Sequence, residues 1–100
     1  MANEDLANAM GLWTGWTGDA AWPLREDAAV LGAFGNKAGP TLLAQVRALR
    51  EDFYRSDAHN TVSGLAEMGD QALAEFRSRH TDLDPAIGEA LRWCYTYDYK

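Results

Sequence analysis

Two histidines, one cysteine and fifteen Asp and Glu residues are the side chains that can do acid–base, nucleophilic or metal chemistry here. Their spacing argues against all three. His59 and His80 fall at the two ends of one candidate helix, which would hold them about 30 Å apart, too far to share a metal ion. Cys94 has no glycine-flanked elbow and no obvious third group beside it, so it reads as a buried, inert thiol rather than a nucleophile. One cysteine also excludes an internal disulfide framework and a multi-thiolate zinc site. The adjacent acids Glu4-Asp5, Glu26-Asp27 and Glu51-Asp52 point about 100° apart on a helix and cannot jointly grip a proton. Thr81-Asp82-Leu83-Asp84 lacks the glycine and distal glutamate of a calcium loop, and Gly32-Ala33-Phe34-Gly35 sits where a helix ends rather than after a strand. The expectation is no catalytic residue, no metal ligand and no cofactor.

The aromatic residues are the more unusual feature. Trp13-Thr14-Gly15-Trp16-Thr17-Gly18 is a tandem repeat, with Trp22 shortly after it. Three indoles on one loop can form a flat platform for a sugar, a base, a cation or an apolar side chain. The competing reading is that they cover the open end of a small core. The second cluster is Trp93-Cys94-Tyr95-Thr96-Tyr97-Asp98-Tyr99, whose tyrosine density matches the composition of interface cores. Its competing reading is a closing segment whose rings pack half in and half out.

Charge narrows the partners. Nine Lys and Arg against fifteen Asp and Glu leave a net charge of -6, and the one basic stretch, Lys37 to Arg55, is interleaved with Glu51 and Asp52. Nucleic acid, which demands a basic face, is a poor partner, whereas a basic protein suits the field. The opening Met-Ala-Asn-Glu-Asp-Leu carries acids where a secretory signal needs basic residues, and no apolar run reaches the ~20 residues of a membrane span. A cytoplasmic location with no membrane association is therefore expected.

The elements that must position these side chains follow from apolar spacing within one domain of 100 residues. Leu6, Met10 and Trp13 recur at helical intervals behind Asn3, which is placed to cap a helix over 3–13. Pro23 can open a second helix over 22–35, with Ala28, Leu31 and Phe34 inward and Gly35-Asn36 ending it. Leu42, Val46, Leu49 and Phe53 give the strongest stripe, in a helix over 40–56. A fourth helix over 61–79 carries Val62, Leu65, Leu73 and Phe76, and its Gly64 and Gly69 suggest close approach of a neighbour. Asp84-Pro85 reads as cap and first residue of a fifth helix over 84–97, with Ile87, Leu91 and Cys94 inward. Its last residues also fit an alternating strand, but no other segment offers a partner strand. The fold class is all-α: a small bundle of four or five mostly antiparallel helices.

The leading functional expectation is a non-catalytic, cytoplasmic protein-interaction module of the antitoxin, immunity or regulatory-adaptor type. Its candidate binding residues are Trp13, Trp16, Trp22, Tyr95, Tyr97 and Tyr99, with Asp19 and Asp98 steering the encounter. The partner is another protein of basic character or a second copy of the chain. The alternative is a small-ligand-binding helical domain whose two aromatic segments wall a cleft. An enzyme ranks below both.

Overall fold

The computed structural model describes residues 2–16 and 20–100, and among them it is all-helical with no strand. The helices are α1 (Ala2–Thr14), α2 (Asp27–Phe53), the single turn α3 (Ala58–Thr61), α4 (Leu65–Arg79) and α5 (Pro85–Asp98). Contacts run α1 to α2, α2 to α4, α4 to α5 and α5 back to α1, so the four long helices close a small bundle around one core. That core takes Leu6, Met10 and Trp13 from α1, Val46 and Phe53 from α2, Phe76 from α4, and Ile87, Leu91 and Tyr95 from α5. Phe53 sits at its centre, 5.2 Å from the Phe76 ring and 5.5 Å from Tyr95.

The second helix begins later than Pro23 because the residues before it are used elsewhere. The Leu24 N–H donates to the Thr14 carbonyl at 2.9 Å and the Glu26 N–H to the Trp13 carbonyl at 3.0 Å. These are carbonyls that the end of α1 leaves without intrahelical donors. Residues 24–26 therefore cap α1, and α2 starts at Asp27. Within it Val30 is buried, and Leu31 and Ala28 are exposed where the spacing places them in the core.

Gly35 does interrupt the helix, at φ 78° and ψ −175°, a conformation open essentially to glycine alone. Helical structure resumes at once rather than at Pro40, so the two expected helices join into one kinked element. Downstream, Leu42, Val46 and Phe53 are buried as their stripe requires, while Leu49 is only half-buried.

The segment expected as one helix over 61–79 divides. Val62 is extended, and α4 starts at Leu65 with Gly64 in the N-cap position. Leu65 is the first residue of that helix and is exposed, not part of the core. Gly69 provides the close approach its presence suggested: a Cβ there would lie 2.6 Å from Thr96 Cγ2 on α5. Helix α5 starts as expected, with the Asp84 carboxylate accepting the Ala86 N–H at 2.9 Å and Pro85 following. Its aromatic end is helical through Asp98.

Candidate functional site

Because residues 93–98 are helical, the alternate rings divide between two faces. Trp93 and Tyr97 share one, Tyr95 and Tyr99 the other. The first face meets the tryptophan segment: the Trp16 ring lies 5.3 Å from Trp93 at a tilt of 47°. Gly15 (φ 83°) ends α1 and turns the chain toward Trp16, while the Thr14 hydroxyl accepts the Trp16 N–H at 3.1 Å. Trp16 is 41% exposed and Trp22 56% exposed. Ala21, Leu65, Trp93, Thr96, Tyr97 and Lys100 line an adjoining cleft of about 230 Å³. The Lys100 ammonium stands over the Tyr97 ring, 4.2 Å from its centroid.

A second cleft of about 230 Å³ shares Leu65 and Lys100 with the first and continues to His59, Val62 and Tyr99. There His59 stacks on Tyr99 at 4.0 Å, 14° from coplanar. An apolar and aromatic surface thus runs from Trp16 across Trp93 and Tyr97, around Leu65, to Tyr99 and His59.

Among the sequence-derived ring candidates Trp22 is exposed but lines neither cleft, and two others do not contribute to this surface. Trp13 is 5% exposed, and its indole N–H donates to Asp27 Oδ1 at 3.0 Å, so it is a core residue with its one polar atom satisfied. Tyr95 is fully buried. Its hydroxyl donates to the Ser56 carbonyl at 2.9 Å and meets both the His59 N–H at 3.2 Å and His59 Nδ1 at 2.8 Å. Burial pushes the Tyr95 phenol up from its ordinary value.

The steering acids also change role. Asp98 accepts from Arg25 Nη2 and from the Tyr54 hydroxyl, both at 2.5 Å, so its charge is engaged within the molecule. Burial first, and then the bond to Asp98, raise the Tyr54 phenol. Asp19 lies outside the described residues.

Trp93 belonged to the terminal aromatic cluster without being singled out as a binding residue, and spacing alone missed Leu65, Lys100 and His59 as members of this surface. Trp93 carried a signal, since it precedes Tyr97 by one helical step of four. For Leu65 and His59 the grouping is long-range and has no local signature.

Cys94 is buried, and burial pushes its thiol up to about 11, far from the thiolate form a nucleophile needs. Among the described residues no three His, Cys, Asp or Glu side chains gather to hold a metal ion, and no helix is long and apolar enough to cross a membrane. Compared with protein-family models, curated proteins and solved structures, the chain matches none.

Proposed function

We propose that the chain is a non-catalytic protein-interaction module acting in the cytoplasm, in the manner of an antitoxin, immunity protein or regulatory adaptor. It uses the exposed surface of Trp16, Trp22, Trp93, Tyr97 and Tyr99 to hold a protein partner. The observation that carries this reading is the meeting of Trp16 and Trp93, two indoles from distant segments brought to 5.3 Å while Trp16 stays 41% exposed. Exposed Leu65 and Tyr97 extend the same face. Rigid rings bury large areas at small cost in side-chain entropy, and truncating one in the centre of an interface removes about 2 kcal/mol or more of binding energy.

With Asp98 paired to Arg25, steering falls to the overall charge of -6, which favours a basic partner and disfavours nucleic acid. A second copy of the chain gains nothing from this field. The small-ligand reading has the cleft beside Trp93 and Tyr97 in its favour, but at about 230 Å³ it falls below the roughly 300–1,000 Å³ of usual ligand pockets. A surface that receives side chains from a partner fits that size better.

The test combines Trp16→Ala and Tyr97→Ala with an unbiased capture experiment. Partners crosslinked to the parent protein in host extract are identified, purified and titrated by calorimetry against each variant. A one-to-one complex that weakens about 30-fold with either variant, both melting near the parent temperature, supports the reading. Variants that fold and bind like the parent defeat it. A metabolite that saturates Trp fluorescence without any protein partner would favour the ligand alternative.

A further inference from the structure

Away from the aromatic surface, the start and middle of the chain build a cavity of different character. Trp13, Arg25, Arg47, Arg50 and Glu51 enclose about 260 Å³. Three of the nine basic residues of an acidic chain face this one space. Like charges brought together oppose folding, so the arrangement needs a compensating reason.

Each guanidinium is held in a different way. Arg47 pairs with Asp27 Oδ2, and the other oxygen of that carboxylate receives the Trp13 indole N–H. Arg25 bonds Asp98 through Nη2 at 2.5 Å, and its backbone sits at φ 57°, the left-handed region that a side chain other than glycine rarely adopts. The Leu24 and Glu26 N–H groups on either side, fastened to α1, hold it there. Among the described residues Arg50 has no carboxylate at ion-pairing distance; it lies over the Tyr54 ring, 4.3 Å from the centroid. The Nε atoms of both Arg25 and Arg50 are shielded from solvent and lack a hydrogen-bond partner.

Asp27 and Asp98 offset two of the three positive charges and orient the side chains that bear them. Arg50 is left half-buried with no carboxylate partner among the described residues, and the neighbouring Glu51 is exposed to water. A planar guanidinium with unused donors matches the paired oxygens of a carboxylate or phosphate. We infer that this cavity binds a small oxyanion, a phosphate or carboxylate group, on Arg50, with Arg25 and Arg47 as flanking donors. Glu51 on the rim sets the charge limit: a single anionic group is accepted, and a polyanion such as nucleic acid meets the Glu51 carboxylate and the net negative field.

Trp13 supplies the reporter, because its indole N–H is coupled through Asp27 to Arg47. The protein, labelled with nitrogen-15, is titrated in low-salt, phosphate-free buffer with inorganic phosphate and, separately, with acetate. The expected result is a saturable shift of the Trp13 indole signal, with the saturating arm naming the anion. Arg50→Gln weakens it about tenfold or more, the scale of a lost hydrogen bond to a charged group. Glu51→Gln, on the exposed rim, tightens it severalfold and carries the test if Arg50→Gln melts early. No saturation with either anion, Arg50→Gln titrating like the parent, or Glu51→Gln binding no tighter than the parent overturns the site.

Discussion

Asn3 closes the start of α5 from 81 positions away: its Oδ1 accepts the Asp84 backbone N–H at 2.9 Å. Its Nδ2 donates to the Asp82 carbonyl at 2.8 Å, so one amide satisfies both a donor and an acceptor of the 82–84 turn. Apolar spacing placed Asn3 as the cap of its own helix; in the structure it lies within α1 and fastens the turn before α5, whose cap is Asp84. Asn3→Ala removes both bonds at a solvent-exposed site, and a loss of about 1–2 kcal/mol in urea unfolding is expected. An unchanged midpoint would show that water replaces the amide without cost.

Tyr95 determines where His59 carries its proton. A phenol has one hydrogen, and Tyr95 gives it to the Ser56 carbonyl, so the approach of His59 Nδ1 at 2.8 Å makes that nitrogen the donor. Neutral His59 is therefore the Nδ1–H tautomer, with Nε2 free to accept. Tyr95→Phe leaves the Ser56 carbonyl and the His59 N–H groups without this partner, at an expected cost of about 1–3 kcal/mol. Nitrogen-15 shifts of the His59 ring check the tautomer. A parent protein with the proton on Nε2 would refute the assignment.

Much of this architecture was legible in the sequence, for local reasons. The stripe Leu42, Val46, Leu49, Phe53 and the Asp84-Pro85 start depend on residues within a few positions of each other; the start stands as read, and the stripe does except that Leu49 is only half-buried. The burial of Trp13 and Tyr95 was also encoded: Trp13 continues the stripe of Leu6 and Met10, and Tyr95 follows Leu91 by four. Their interface-like composition pointed the other way, and for these two residues helical phase prevailed. The inward turn of Val30 was not legible. It depends on how α2 packs against α1 and α4, which spacing along α2 does not report. The meeting of Trp16 with Trp93 is equally non-local, since only the packing of α5 against α1 brings them together.

Acid should weaken the junction of α2 with the end of α4. Asp52 accepts from Arg79 Nε at 3.0 Å and meets His80 Nε2 at 2.8 Å, with Arg55 at 3.6 Å. Burial alone would raise this carboxyl; the bonds from His80 and Arg79 outweigh it and hold the group below its ordinary value. A folded value below the unfolded one means stability that is present above about pH 4 and lost as pH falls through the folded value. Asp52→Asn should cost about 1–3 kcal/mol at neutral pH and flatten the acid limb of the stability profile. A variant whose acid limb retains the full parental slope would place the titrating group elsewhere.

Two glycine-to-alanine substitutions should have opposite signs. At Gly69 an added Cβ would meet Thr96 Cγ2 at 2.6 Å and Arg92 Nε at 2.9 Å. Neither neighbour gives way freely. The Thr96 hydroxyl is bonded to the Arg92 carbonyl at 3.0 Å, and Arg92 is fastened to Asp70 and to the Ala66 carbonyl. Helix propensity favours alanine by about 1 kcal/mol, but overpacking costs about 1–3 kcal/mol, so Gly69→Ala should destabilise by up to about 2 kcal/mol. Gly32 lies in the first part of α2 with nothing within 4 Å of an added Cβ, leaving only the propensity gain. Gly32→Ala should therefore stabilise by about 0.5–1 kcal/mol. The displacement at Gly69 should also reach the aromatic surface, because Thr96 shares the cleft with Trp93 and Tyr97. Chemical denaturation with Trp fluorescence reads both effects: Gly69→Ala should lower the midpoint and alter native emission, and Gly32→Ala should raise the midpoint alone. If Gly69→Ala matched Gly32→Ala in both readouts, α4 and α5 would not approach as closely as the Thr96 contact requires.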